Sequence, residues 1–182
     1  MLERPIDTDT HTATIRLMTE QDLPAMLAVQ AACYPPAMQE PAAIVLARLR
    51  AASGTTLVAD GADGVCAYVF AYPSRLGAVT PLGARFAPAP DADTLYIHDL
   101  AVAPSALGQG LARRLLAGLS KRARTLALPH AALVAVQDSR RFWEGQGFAV
   151  RDAGQDLAAA LATYPDGALY MTRDMRKITV DS

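Results

Sequence analysis

The sequence predicts a single α/β domain in which a mixed central sheet of about seven strands is flanked by helices. In the first half, two apolar runs meet at a Gly- and Asp-containing turn over residues 60–64, which is typical of an antiparallel hairpin. In the second half, apolar strand-like runs alternate with helical patterns. The 182 residues are 52% hydrophobic and 19% charged, which suits one domain with a sizeable core.

Each element has a local signal. Thr19 with Asp22 resembles a capping box at a helix start, and Pro35 and Pro36 exclude helix beyond about residue 34. The predicted strands are residues 13–17, 55–59, 65–72, 94–102, 131–136, 148–151 and 168–173. Four helices are predicted. The first begins near Thr19 and ends near residue 32, and the others occupy residues 41–52, 110–126 and 139–146.

Three segments lack regular periodicity. Residues 1–12 are polar and predict a flexible N-terminal arm, and residues 177–182 predict a C-terminal tail, so that residues 13–176 form the domain. Residues 73–93 are rich in Pro and Gly. A loop of this length in a compact domain is often functional, and it is either a lid over a substrate or an inert excursion.

Composition excludes several classes of function. A net charge of −1 gives no reason to expect a nucleic-acid or anionic-membrane partner. Cys33 and Cys66 are in no metal or redox spacing and suit free thiols of a reducing compartment. The charged N-terminus is not a signal peptide, and no apolar stretch could span a bilayer. We therefore expect a cytoplasmic protein without a metal site.

A glycine turn at residues 107–112, with the sequence LGQGLA, carries the first functional signal. It joins the strand at residues 94–102 to a helix with apolar positions at every third or fourth residue. A turn of this kind presents unpaired N–H groups and the positive end of a helix dipole, which suits a phosphate. Because Leu111 and Ala112 follow Gly110, it is neither a Walker motif nor a dinucleotide fingerprint.

A second motif follows the strand at residues 131–136. There, Phe142, Trp143, Gly147 and Phe148 reproduce an F-Y-x-x-x-G-F pattern with Trp in place of Tyr. The glycine turn resembles the R/Q-x-x-G-x-G/A loop that binds the pyrophosphate of acyl-CoA in the GNAT acetyltransferase superfamily. Together, the two motifs resemble that superfamily in their order and spacing, although Leu107 replaces the usual Arg or Gln.

The resemblance implies an acetyl-CoA-dependent N-acetyltransferase domain that transfers acetyl by direct attack in a ternary complex. It implies that the strands at residues 94–102 and 131–136 splay apart, that pantetheine enters between them, and that a backbone N–H near Leu100 polarises the thioester carbonyl. The cofactor-binding residues that it implies are Leu100, Ala101, Val102, Leu107, Gly108, Gln109, Gly110, Leu111, Ala112, Arg113, Ser139, Phe142 and Trp143.

His98 is the predicted proton acceptor. In a regular strand, Tyr96, His98 and Leu100 share one face, and Asp99 points to the other, towards the surface or a helix. An imidazole suits general base catalysis because its unperturbed pKa is about 6.5. The strand also resembles that of arylalkylamine (serotonin) N-acetyltransferases, in which a His-x-His pair relays the substrate proton. His98 matches the second histidine, and Tyr96 replaces the first.

The proton donor for the leaving thiolate is less defined. Trp143 occupies the position of the usual tyrosine, and an indole N–H is no acid near neutral pH. Ser139 could contact the sulfur, although N-capping of the following helix is the simpler role. Tyr96 and Tyr170 are further candidates. A thiolate with a pKa of about 8.5 is in any case a tolerable leaving group.

The acceptor is predicted from its surroundings. Tyr34, Pro35 and Met38, which we predict to bind the substrate, are neutral to apolar, whereas Glu40 and Asp91 are far apart in the sequence. A small hydrophobic or aromatic amine is favoured, while peptide N-termini, amino acids, an antibiotic amine and polyamines stay open. A different class also stays open, namely an acyl-CoA-binding module without transferase activity. The oligomeric state also stays open, with a homodimer as one alternative.

Overall fold

The computed structural model describes residues 12–136, 138–152 and 154–176. The predicted tail and all but one residue of the predicted arm lie outside these residues. The described strands are β1 Thr14–Leu17, β2 Leu57–Gly61, β3 Gly64–Ser74, β4 Thr94–Val102, β5 His130–Ala135, β6 Ala149–Val150 and β7 Leu169–Asp174. The described helices are α1 Leu23–Cys33, α2 Ala42–Ala51, α3 Leu111–Thr125, α4 Arg140–Gly145 and α5 Gly154–Leu161.

The predicted α/β class with a mixed sheet is confirmed. The described strands form one seven-stranded sheet in the order β1-β2-β3-β4-β5-β7-β6. All neighbours are antiparallel except β4 and β5, which are parallel. Helix α5 was not predicted, because its eight residues follow no clear capping signal. In the described part of the chain, no helix has the length and apolar character needed to cross a membrane.

Two apolar layers cover the two faces of the sheet. On one face, the stripe of α3, with Leu111, Leu115 and Leu119, packs on the sheet. On the other face, Met26 and Val29 of α1 and residues of α2 pack on aromatic side chains of β3 and β4. Both faces of the central strands are therefore buried, which explains why those strands read as continuous apolar runs.

Strands β4 and β5 separate halfway along their length. Residues Thr94 to Ile97 of β4 pair with His130 to Leu133 of β5, and the pairing ends there. β4 continues to Val102 and β5 to Ala135. The predicted splay of the central strands is thus confirmed, and it opens a cleft between two strands whose facing backbone edges are unpaired.

A β-bulge at His98 changes which side chains share a face. The register of β3 with β4 passes from Ala71↔Ile97 to Phe70↔Asp99, so that His98 is the extra residue. The prediction that His98 shares a face with Leu100 and opposes Asp99 is therefore wrong. Leu100 lies on the α3 face, whereas Asp99, opposite Phe70, lies with His98 on the face that α1 covers.

The predicted helix start at Thr19 and Asp22 is confirmed. The Thr19 backbone N–H donates to the Asp22 carboxylate at 2.8 Å, and the Arg16 guanidinium donates to both of its oxygens at 2.7 and 2.8 Å. These bonds, chiefly those from Arg16, outweigh the opposing effect of burial and lower the pKa of Asp22 to about 2.

We expect Asp22→Asn to lower the free energy of unfolding at pH 7 by about 2 kcal/mol, because the carboxylate is stabilised more in the folded than in the unfolded chain. Because the pKa of Asp22 is lower in the folded than in the unfolded chain, this stabilisation is complete above about pH 5. It is lost as the pH falls towards 2. Urea unfolding at several pH values measures it, with Asp63→Asn in the exposed β2–β3 turn as control. A deficit that stays constant down to pH 2 would contradict the assignment.

Candidate active site

The cleft between the separated ends of β4 and β5 is mainly apolar. It has a volume of about 160 Å³, and its walls include Ile97, Leu133 and Val134 of the two strands and Phe142 and Trp143 of α4. Such walls suit a flexible, largely uncharged chain such as the pantetheine arm of CoA.

The glycine turn forms a groove that continues from this cleft. Its lining comprises Val102, Ala106, Leu107, Gly108, Gly110, Leu111, Ala112, Arg113 and Phe142. Phe142 borders both spaces, so the groove and the cleft are adjacent, and together they are called the path below. Most of the predicted cofactor residues lie on that path. Of the others, Gln109 is exposed in the turn and Ala101 is buried on the α1 face.

The turn has the backbone geometry of an anion cradle. Gly108 and Gly110 adopt φ values of 82° and 69°, a left-handed conformation that favours glycine. The backbone N–H of Arg114 donates to the Gly110 carbonyl. The N–H groups of Leu111, Ala112 and Arg113 precede it in the first turn of α3 and therefore have no intrahelical acceptor.

Tyr34, directly after α1, also borders the cleft. Its hydroxyl donates to Asp99 Oδ1 at 2.7 Å and lies 3.1 Å from the carbonyl oxygen of Leu100. Because the N–H and C=O of one strand residue point the same way, the Leu100 N–H also faces the cleft. This is the orientation that the predicted polarising donor requires.

Asp99 is held by two phenols. Tyr68 of β3 donates to Asp99 Oδ2 at 2.6 Å, while Tyr34 donates to the other oxygen. Burial raises the pKa of Asp99, against the lowering effect of the two tyrosine hydrogen bonds. We predicted a surface or helix-contacting role for Asp99. Its contact with Tyr34, directly after α1, agrees with the second of these roles, and the bulge at His98 places Asp99 on the face that α1 covers. Strand alternation alone could not reveal it.

His98 borders the cleft and is enclosed by neighbouring side chains. Its Nε2 lies 3.3 Å from Glu40 Oε2, its Nδ1 lies 3.4 Å from the Tyr164 hydroxyl, and its side chain is only 2% exposed. Since the Tyr164 hydroxyl donates to the Thr80 carbonyl at 2.6 Å, its proton is not directed at the imidazole. No geometry here tests His98 as a base, and that role stays a prediction.

Glu40 organises this buried region. It forms an ion pair with Arg48 of α2, and its Oε1 accepts a hydrogen bond from the Gly83 N–H at 2.7 Å. Burial alone would raise its pKa, but hydrogen bonds from His98 and Arg48 lower the pKa of Glu40 to about 2. No sequence pattern indicates that Glu40 and His98 meet, since 58 residues separate them.

The loop at residues 75–93 covers this cluster. The Ala84 carbonyl accepts a hydrogen bond from Arg48 Nε at 2.9 Å, and Phe86 stacks on Tyr72 with the ring centroids 4.4 Å apart. The loop therefore encloses the buried cluster of Glu40, Arg48 and His98. Whether it opens as a lid stays a prediction.

The remaining predicted residues have varied positions. Ser139 precedes α4 and lines the cleft, but its side chain makes no capping hydrogen bond, so the predicted N-capping is wrong. Tyr96 is fully buried, and its hydroxyl has no hydrogen-bond partner among the described residues. Tyr170 is also buried and accepts a bond from the Gly77 N–H. Pro35 is exposed and Met38 is half-buried.

A splayed parallel strand pair next to a glycine turn at a helix start is the arrangement that the resemblance to the GNAT acetyltransferase superfamily implies. The chain belongs to the acetyltransferase (GNAT) family, whose sequence model matches residues 23–148. A comparison with curated proteins finds no match. No comparison shows a special closeness to arylalkylamine N-acetyltransferases, and that resemblance stays a prediction.

Solved structures share the fold at low sequence identity. GphF, a GNAT-like decarboxylase in complex with isobutyryl-CoA, has 17% identity and a TM-score of 0.71, covering 90% of this chain and 100% of that chain. Naa20 from Chaetomium thermophilum, in complex with a bisubstrate analogue, has 18% identity and a TM-score of 0.60, covering 90% and 87%. Arabidopsis thaliana Naa50, in complex with the bisubstrate analogue CoA-Ac-MVNAL, has 13% identity and a TM-score of 0.64, covering 90% and 98%.

Proposed function

We propose that the protein transfers the acetyl group of acetyl-CoA to a small primary amine. One observation carries this proposal: a single path leads from the glycine turn, through the apolar cleft, to a group of polar side chains around Asp99. The path has the order that the substrate needs, with phosphates at one end, pantetheine in the middle and the thioester at the polar end.

The cleft supplies the binding and the polarisation. In the proposed complex, the free N–H groups of the first turn of α3 hold the pyrophosphate, with Arg113 beside them. The Leu100 N–H then stabilises the oxyanion that develops on the thioester carbonyl. The leaving thiolate departs next to Ser139, which borders the cleft. Trp143 also lines the cleft and would pack against the bound cofactor.

The acceptor side favours a hydrophobic amine over a polyamine. Behind His98 and Asp99, the interior is filled by Met26, Val45 and Phe70 together with Gln30, Glu40 and Arg48, and it leaves no space there for a long polar chain. Glu40 lies there, but its charge is already matched by Arg48, and Asp91 pairs with Arg75 at the surface. A polycation would therefore find no cluster of free carboxylates among these residues.

A panel of acceptors tests the proposal. The protein is incubated with acetyl-CoA and, separately, arylalkylamines, polyamines, amino acids and short peptides, and the products are identified by mass spectrometry. We expect an acetyl group on the nitrogen of the hydrophobic amines. Acetylation of peptide N-termini alone would overturn the acceptor class, and tight acetyl-CoA binding without any product would favour a binding module.

A further inference from the structure

We infer that Asp99, reached through the hydroxyl of Tyr34, accepts the proton that the attacking amine loses. This inference rests on the proposed function and deepens it. The base would then be Asp99 and not His98, the base predicted from the sequence. The bulge of β4 places the two side chains on the same face of the sheet.

Tyr34 connects the cleft to the carboxylate. Tyr34 borders the cleft together with Asp99 and His98, and its hydroxyl proton is directed at Asp99 Oδ1 over 2.7 Å. A phenol in this arrangement keeps an oxygen lone pair for a second donor. Because the same hydroxyl lies 3.1 Å from the Leu100 carbonyl oxygen, it stands beside the strand segment that would polarise the thioester.

Tyr34 is also held in place by its surroundings. Its backbone N–H donates to the Gln30 carbonyl at 2.9 Å, and Gln39 Nε2 donates to the Tyr34 carbonyl at 2.8 Å. Cys33 Sγ donates to the Val102 carbonyl at 3.2 Å, which ties the end of α1 to β4. A group that transfers a proton must be held in position by hydrogen bonds and packing from the residues around it.

Charge matching separates Asp99 from Glu40. Glu40 already has the Arg48 guanidinium, the Gly83 N–H and His98 as partners. Among the described residues, no cationic side chain lies within ion-pair distance of Asp99, whose partners are the two phenols. A carboxylate without a cation beside it gains more from accepting a proton than one that is paired with a guanidinium.

The proton transfer balances without any further reactant. As the amine nitrogen bonds to the thioester carbon, its N–H becomes more acidic and donates to the Tyr34 oxygen. The Tyr34 hydroxyl passes its own proton to Asp99, so that the phenol stays neutral and Asp99 becomes neutral. The C–S bond then breaks, and the CoA thiolate leaves or takes up a proton from solvent.

The groups that face Asp99 set its pH response. They are Tyr34 and Cys33 at the end of α1, Tyr68 on β3, His98 on β4 and Glu40 before α2. Burial raises the pKa of Asp99, which makes the carboxylate a stronger base, while His98 and the two phenols act in the opposite direction. The rate should therefore rise as the pH rises through the pKa of Asp99.

The decisive experiment compares four variants at the best acceptor amine. We expect Asp99→Asn to lower kcat by about 10²-fold or more and to remove the acid limb of the pH–rate profile. Tyr34→Phe should lower kcat by about tenfold or more, whereas Tyr68→Phe, which removes the other hydrogen bond to Asp99, should lower kcat less than Tyr34→Phe and move the acid limb to higher pH. Tyr68 is the matched control, because it donates to the same carboxylate but does not border the cleft. His98→Gln should keep the acid limb.

Equal losses in the two tyrosine variants, or a full rate in Asp99→Asn, would overturn the inference while leaving the proposed function standing. A wild-type protein that acetylates no amine would count against the proposed function instead. A second readout needs no acceptor: infrared difference spectra of wild type against Asp99→Asn follow the titration of this one carboxyl group. We expect its midpoint above the ordinary aspartate value, and a midpoint at or below that value would overturn the inference.

Discussion

Replacing Gly110 by glutamate is expected to abolish CoA binding, with a loss of affinity of at least about 100-fold, or about 3 kcal/mol. The new carboxylate would project from the first residue of the cradle, where an added Cβ meets open space, and it would repel the pyrophosphate. Its negative charge would itself occupy the N-terminus of α3. Isothermal titration with CoA measures the effect.

Gly77→Glu is the matched control for this prediction. Gly77 has φ of 88°, close to the 69° of Gly110, and an added Cβ there also meets open space. The two variants therefore carry a similar backbone strain and the same charge, but Gly77 lies beyond the opposite end of β4. If Gly110→Glu bound CoA as tightly as Gly77→Glu, the pyrophosphate would not lie at the turn.

Replacing Arg48 by methionine is expected to give the largest loss of stability, about 3–5 kcal/mol in the free energy of unfolding. The side chains of Arg48 and Glu40 are only 2% and 6% exposed, so the variant leaves a buried carboxylate without its cation. It also removes the bond to the Ala84 carbonyl and the contact with the Phe86 ring, whose centroid lies 5.0 Å from the guanidinium carbon. Urea unfolding measures the loss.

Two further variants separate charge burial from a general effect of α2. Arg50 lies on the same helix and pairs with Glu20 at the surface, where both side chains are more than half exposed, so Arg50→Met should hardly change stability. The double variant Arg48→Met with Glu40→Gln should recover part of the loss, because no unpaired charge remains. A double variant less stable than the single one would contradict this account.

The sequence predicted those parts of the molecule that depend on local patterns. The apolar stripe of α3, with Leu111 and Leu115, and the glycine turn before it are local features, and both lie where the pattern placed them. The splay of β4 from β5 followed from the resemblance to a family. Helix α5 has an alanine-rich sequence that intrinsic helix propensity could have indicated.

The arrangement of Asp99 and its polar neighbours could not be predicted from the sequence. Strand alternation places Asp99 away from His98, and only the bulge, which depends on the register with β3, brings them to one face. The partners of Asp99, Tyr34 and Tyr68, lie 65 and 31 residues before it. Contacts of this separation arise from the tertiary fold, so no spacing rule in the sequence marks them.

The measurement that tests the central claim most directly is the release of free thiol from acetyl-CoA with and without 2-phenylethylamine, for wild type and Gly110→Glu. The account predicts release that needs both the amine and the intact turn, together with an acetyl group on the amine nitrogen. Thiol release that is independent of any amine, or that persists unchanged in Gly110→Glu, would contradict it.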